Sequence, residues 1–369
     1  MTYLTRFIAS AILCTVVACT GDSNTASDGE NVVNVYNWAD AVAPGVVETF
    51  EAETGIKVNY DTYSASPAVE VKLLTGNSGY DVIFHDRLLA SRLIDVGVYQ
   101  KLNPELLPNL ANLDAETMRQ LDVYEAVRGY NAPFHWGTTG FSLNVEMVRE
   151  RLPNQPLDTG AILFDPEIVS QLEDCGVSFH DSSTTLLPMA LAYLGLDPNA
   201  VDEESLAAVQ EMLLRVRPYV RYFSNDKYLS DLPNKELCVA MAWSGDYAVS
   251  LQRSKEAGID IDLAYFIPKE GAPIWIDGIF IPTDAPHVEN AHVFINFLMR
   301  ADIAFRNADY SNYATPNAAA IKLLSEESRN NPAIYPDQEA WNRTFRPDPR
   351  GPIEERARTR VLARVKSGL

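Results

Sequence analysis

The chain has 369 residues, 47% of them hydrophobic, with a formal charge of −20, a length that suggests about two domains with cores of their own. No apolar run of ~18 residues or more occurs beyond the N-terminus, which excludes a polytopic membrane protein. The acidic balance disfavours nucleic acid or an anionic bilayer as partner and favours cationic ligands at long range.

Residues 1–18 carry one basic residue, Arg6, and an apolar stretch from Phe7 to Ala18. That stretch is too short to span a bilayer and reads as a secretion signal. Val16-Val17-Ala18-Cys19 resembles a bacterial lipobox, with Cys19 as the lipidated mature N-terminus. Residues 19–30 are then the lipidated cysteine and a flexible polar tether. Of four cysteines, Cys14 lies in the removed segment and Cys19 takes the lipid, leaving Cys175 and Cys238. An even pair in an oxidising compartment is expected to be joined. With no Cys or His nearby at ligand spacing, the pair is a poor metal site, and no metal or cofactor is expected.

Val32–Tyr36 reads as a buried strand, and it runs into Trp38 and Asp40. Pro44–Thr54 is predicted as a helix stopped by Gly55, Ile56–Tyr60 as a strand, Ser66–Leu74 as a helix and Asp81–Phe84 as a further buried strand. Strand–helix–strand–helix–strand is a parallel, doubly wound α/β arrangement. In such sheets ligands collect beyond the carboxyl ends of the strands, where Trp38, Asp40 and, in His85-Asp86-Arg87, Asp86 all fall. A flat ring beside a carboxylate suits an organic cation.

Phe134–Asn144 is a Gly/Thr-rich strand, read as a crossing between lobes; without a Gly-Lys-Ser/Thr ending it is no phosphate loop. Asp181–Tyr193 is an apolar helix with a cap at Asp181-Ser182-Ser183. Glu203–Val216 is an amphipathic helix with Leu206, Val209, Met212, Leu213 and Val216 on its core face. Leu237–Ala242 is a buried strand leading to Trp243-Ser244-Gly245-Asp246, the second Trp-then-Asp at a strand end. Ile261–Pro268 and Ile274–Pro282 are strands, and alternation puts Trp275 and Asp277 on one face of the latter. Pro286–Arg300 is a helix, Tyr310–Pro316 a loop, and helices fill the C-terminus. These crossings divide the chain into a first lobe of residues 31–137 plus 257–305 and a second of 138–256 plus 306–369, with a cleft between them and hinge closure as the natural motion.

Several motifs recur in a particular order: Tyr36-Asn37-Trp38-x-Asp40, Trp136-Gly-Thr-Thr-Gly140, Cys175-Gly-Val-Ser-Phe179, Trp243-Ser-Gly-Asp246, Ile267-Pro-Lys-Glu-Gly-Ala272 and Arg358-Thr-Arg360…Lys366-Ser-Gly368. Over residues 31–369 this order resembles the periplasmic polyamine-binding proteins of ABC importers, closest to their putrescine-binding branch. The resemblance implies a two-lobed, type II periplasmic-binding-protein fold that clamps a polyamine or related small organic cation. The positions it carries over as ligand contacts are Trp38, Asp40, Trp243, Asp246, Trp275 (an aromatic in the family), Asp277 and Tyr313. Cys175 and Cys238 match cysteines paired in the putrescine branch. It further implies a carrier on the periplasmic or cell-envelope face, serving ABC permease subunits, and a monomer suits such a hinge-closing carrier.

This chain departs from the pattern at one end of the pocket. Ala39 and Ala41 replace a Ser and a Tyr, Thr185 replaces an acidic residue, and His85-Asp86 replaces a Pro-Ser. An acid is lost at 185 and one is gained at Asp86, which leaves open putrescine, spermidine, cadaverine, agmatine or another amine, and also loss of ligand binding. An enzyme is disfavoured: the chain lacks a Gly-x-Ser-x-Gly elbow, a His-Glu-x-x-His motif and a dinucleotide fingerprint. Ferric-ion binding through Tyr310 and Tyr313 would leave three Trp-plus-acid pairs unexplained. A binding lobe that reports to a membrane sensor instead of a permease would share the same pocket.

Overall fold

The computed structural model describes residues 31–39, 41–63, 66–121 and 124–369. The expected signal peptide, Cys19 with its tether, and Asp40 lie outside the described residues.

In β1 (Val32–Trp38) Val33, Val35 and Asn37 are buried and alternate with half-buried neighbours, so the strand presents one face to a core. It pairs in parallel with β2 (Lys57–Tyr63) and β3 (Val82–Asp86). The crossovers are α1 (Val46–Thr54) and α2 (Ser66–Leu74), giving the parallel arrangement expected from the sequence. α1 starts two residues later than predicted because Gly45, at φ 79°, turns the chain ahead of Val46. α3 (Arg87–Asp95) continues directly from β3, and β4 (Tyr99–Gln100) follows.

β5 (Asn131–Asn144) is the long strand of the molecule's centre. The second half of the fold contributes β6 (Val177–Phe179), α4 (Ser183–Tyr193), α5 (Glu203–Val216), β7 (Val220–Phe223), β8 (Val239–Trp243) and α6 (Ser244–Glu256). Then come β9 (Leu263–Phe266), β10 (Ala272–Pro282), α7 (Val288–Leu298), α8 (Ala301–Ser311), β11 (Thr344–Phe345) and α9 (Pro352–Ser367). The strands run β2-β1-β3-β10-β5-β8-β6-β7, with β4 and β11 against β10 and β9 against β5. Residues 131–138 of β5 pair antiparallel with β10, whereas 139–143 pair with β8. One strand thus belongs to both halves of the sheet.

Two hydrophobic clusters flank that strand. The first gathers Val33, Val35, Phe50, Phe84, Phe294 and Leu298; the second gathers Phe141, Phe179, Val209, Leu213, Val239 and Val365. Each fully buried Leu, Val or Phe contributes roughly 1.5–3 kcal/mol. All five residues predicted for the core face of α5 are buried. A disulfide joins Cys175 to Cys238, as expected, tying the turn before β6 to the residue before β8. Among the described residues no helix is long and apolar enough to cross a membrane.

Details differ from the sequence reading. β9 pairs with Phe141–Asn144 of β5, and Leu263 packs with Tyr228 and Ala240, so residues 263–266 lie on the second-half sheet and not with the 257–305 segment of the first. Ala314 and Ile334 pack with Trp136 and Ile274, and Asn317 Nδ2 donates to the Met299 carbonyl at 2.9 Å. This segment therefore stays beside β10 and α7, while Val361 and Val365 of α9 enter the second cluster. The expected 310–316 loop is helical at Tyr310 and Ser311; α8 ends at Asn312, which adopts the left-handed conformation at φ 58° and does the work usually given to glycine.

Candidate ligand-binding cleft

Trp38, Asp86 and Trp243 are the last residues of β1, β3 and β8. Sheet ends are where side chains can face a crevice without interrupting a core. Trp275 and Asp277 lie two apart on β10, both half-buried and on the same face.

At one end of the site the Trp38 ring lies 4.2 Å from the Tyr63 ring, centroid to centroid and tilted by 48°. Tyr63 is fixed by its hydroxyl, which donates to the Phe84 carbonyl. Asp86 caps α3, accepting from the Leu89 amide at 3.0 Å, and stands opposite Asp277 in the antiparallel β3–β10 register. Burial pushes the Asp86 carboxyl up to about 6 against the pull of the Leu89 and Leu88 amides and of Arg87 and Arg92. Burial and then Asp86 push Asp277 well above the usual carboxylate range. Burial and then Asp277 do the same to the Tyr63 hydroxyl.

At the other end Asp246 sits in the first turn of α6 and is 8% exposed. Its Oδ1 accepts from the Tyr313 hydroxyl at 2.6 Å and its Oδ2 from the Tyr228 hydroxyl. Burial raises its pKa to about 6, opposed by those two hydroxyls. The Trp275 ring meets Tyr313 edge to face, centroids 5.1 Å apart. Trp243 packs on His180 at 4.4 Å, a fully buried imidazole held neutral, its pKa lowered to about 3 by burial. Two glycines make this packing possible. A Cβ at Gly245 would stand 2.6 Å from the Tyr313 ring, and one at Gly137 would stand 2.6 Å from the Trp275 ring.

Tyr313 feels the acids of both ends: its hydroxyl is pushed well up by burial, then by Asp246 and also by Asp277. Trp38, Asp86 and Asp277 therefore gather at one end, and Trp275, Asp246 and Tyr313 at the other, with Trp243 just before Asp246. Sequence reasoning missed Tyr63, Tyr228 and His180. Tyr228 lies in a polar stretch after Ser224-Asn225-Asp226 that gives no strand or cleft signal. Thr185, where an acid was expected from the resemblance, spends its hydroxyl on the Ser182 carbonyl at 3.3 Å. Tyr310 is 40% exposed on α8, while Tyr313 is turned to Asp246, so the two do not form the tyrosine pair an iron site requires. Among the described residues no group of three or more His, Cys, Asp or Glu could hold a metal ion.

What such a site can do is bind a cation. Carboxylates form charge-assisted hydrogen bonds to an ammonium, and ring faces cover its methylenes.

Residues 45–336 match the family model described as bacterial extracellular solute-binding protein. The chain is 40% identical over 364 residues to the putrescine-binding periplasmic protein SpuD of Pseudomonas aeruginosa, covering 98% of this chain and 99% of that one. It is 38% identical to a putrescine/agmatine-binding protein of the same species, covering 98% of each. In fold it is similar to the crystal structure of the spermidine/putrescine ABC transporter substrate-binding protein PotD of Streptococcus pneumoniae. The TM-score is 0.77 at 23% identity, over 91% of this chain and 99% of that one.

Proposed function

The chain belongs to the bacterial extracellular solute-binding proteins, and on that premise we propose that it captures a polyamine or related organic cation between two lobes by hinge closure and delivers it to an ABC permease. The observation that carries the reading is the gathering of carboxylates and aromatic rings around the strand ends: Asp86 at the end of β3 and Asp277 opposite it, beside Tyr63 and so Trp38, and the buried Asp246 just after β8, bonded to Tyr313 against Trp275. Desolvated acids of this kind are costly unless a cation or a proton accompanies them. The protein's role is to bind, not to catalyse.

In this reading Asp40, Asp86 and Asp277 receive one cationic end group and Asp246, oriented by Tyr313, receives the other. Trp38, Trp243 and Trp275 supply faces for the carbon chain, each cation–π contact contributing ~0.5–2 kcal/mol. The lobes are those read from the sequence, adjusted so that β9 moves with the second half and residues 306–345 with the first. A monomer, anchored through a lipid on Cys19 at the cell-envelope face, suits a hinge-closing carrier. Calorimetric titration with a panel of amines tests the reading.

A further inference from the structure

Asp86 and Asp277 are directly opposed in an antiparallel strand pair, followed by the opposed pairs His85–Gly278 and Phe84–Ile279. Opposed residues carry Cβ atoms about 4.5–5.5 Å apart on one face of the sheet, and like charges in that position destabilise it. The β5–β10 register also shifts between Ile276 and Gly278, so that two residues of β5, Phe134 and His135, stand opposite Asp277. Asp86 receives a hydrogen bond from the Leu89 amide at 3.0 Å.

The surrounding elements do not neutralise the pair. β2 contributes Tyr63, the segment before β5 contributes Tyr124, and the loop after α8 contributes Tyr313; all three hydroxyls are pushed up by burial and stay protonated at neutral pH. His85 of β3 and His135 of β5 are buried and held neutral, each lowered to about 3. Arg87 and Arg92 of α3 favour ionised Asp86 but are outweighed by its burial. Asp40 of the β1 end lies outside the described residues.

We propose that the Asp86–Asp277 pair holds one proton while the cleft is unliganded and releases it when a cationic end group enters, so that ligand capture at this end is coupled to proton release. The O–H bond of the shared carboxyl breaks, the proton passes to solvent, and the ligand's ammonium or guanidinium takes its place between two carboxylates. The raised pKa values of both acids agree with this. Asp86 thereby sets the specificity of this end: it favours a permanently charged group with several donors over a neutral hydroxyl or amide. The inference rests on the reading of the cleft as a cation site.

The test is titration of the refolded protein with putrescine, cadaverine, agmatine and spermidine in turn near neutral pH, in buffers of differing ionisation enthalpy. The expected result is proton release of up to about one per ligand, affinity that rises with pH, and at least a halving of that release in Asp86→Asn. Binding without buffer-dependent heat, or with unchanged release in Asp86→Asn, overturns the proposal while leaving the cation site standing. No binding of any amine overturns both. Infrared difference spectra of the wild type give the same decision without a variant. The amine that binds should remove a protonated-carboxyl stretch, and an unchanged carboxyl region on binding refutes the proposal.

Discussion

The Tyr313 hydroxyl donates to Asp246 at 2.6 Å, joining the loop after α8 to the first turn of α6. The bond spans 67 positions of sequence and orients a carboxylate that burial would otherwise favour in its neutral form. A hydrogen bond to a charged group is worth about 1.5–3 kcal/mol. Tyr313→Phe is therefore expected to weaken amine binding about tenfold or more and to raise the Asp246 pKa further, both measurable by titration at several pH values.

Removing an acid or a ring acts more directly. Asp246→Asn and Trp38→Ala are each expected to cost at least ~1.4 kcal/mol of binding, tenfold in affinity, with the folded state retained as judged by circular dichroism. Unchanged affinity in both variants would show that the cleft has been wrongly assigned.

Gly245 offers a steric probe of the same corner. A Cβ there would lie 2.6 Å from the Tyr313 ring, so Gly245→Ala must displace that ring or the turn. Overpacking of this kind costs about 1–3 kcal/mol. The expected result is a lower melting temperature together with weakened binding; a fully stable variant with normal affinity would mean that the ring is not held as described.

Stability of the unliganded protein should depend on pH in an unusual direction. Asp86 and Asp246 have folded pKa values raised from 3.8 to about 6, so between these values the folded state binds more protons than the unfolded. Stability then falls as pH rises through that window. Asp174, lowered to about 2 by its bond to Arg151, contributes stability that is lost in acid, below the unfolded carboxylate range. The melting temperature of ligand-free protein is expected to be higher near pH 5 than at neutral pH, with the difference reduced in Asp86→Asn.

The Cys175–Cys238 bond closes a sequence separation of 63 residues, for which chain entropy gives about 4 kcal/mol. Reduction should lower the melting temperature, and mass spectrometry of the unreduced protein should find no free thiol at either position.

Much of this arrangement was legible because its signals are local. Trp243-Ser-Gly-Asp246 ends a strand and opens a helix within four residues, and Trp275 and Asp277 share a face through the two-residue period of a strand. The parallel order of β1, β2 and β3 followed from helices of crossover length between them. What the sequence did not reveal depends on distant pairing. That Asp277 faces Asp86 requires β10 to insert antiparallel beside β3, and the Tyr228–Asp246 bond requires two helices to meet. The end of α8 is hidden in the sequence because no glycine marks it and Asn312 takes the left-handed turn. β9 reads as a first-lobe strand because a strand after a helix looks like a return, whereas its pairing with β5 and the packing of Leu263 set it beside the second-half strands.

The most direct test is calorimetric titration of the protein beginning after Cys19, unfolded and refolded to strip any carried ligand. The panel runs through putrescine, cadaverine, agmatine, spermidine and spermine, with an amino acid and a sugar as controls. Saturable binding of at least one amine and of neither control is the predicted result, and the length of the preferred amine reports on the end remodelled at Ala39, Ala41, Asp86 and Thr185. Absence of binding to every amine would contradict the account of the cleft.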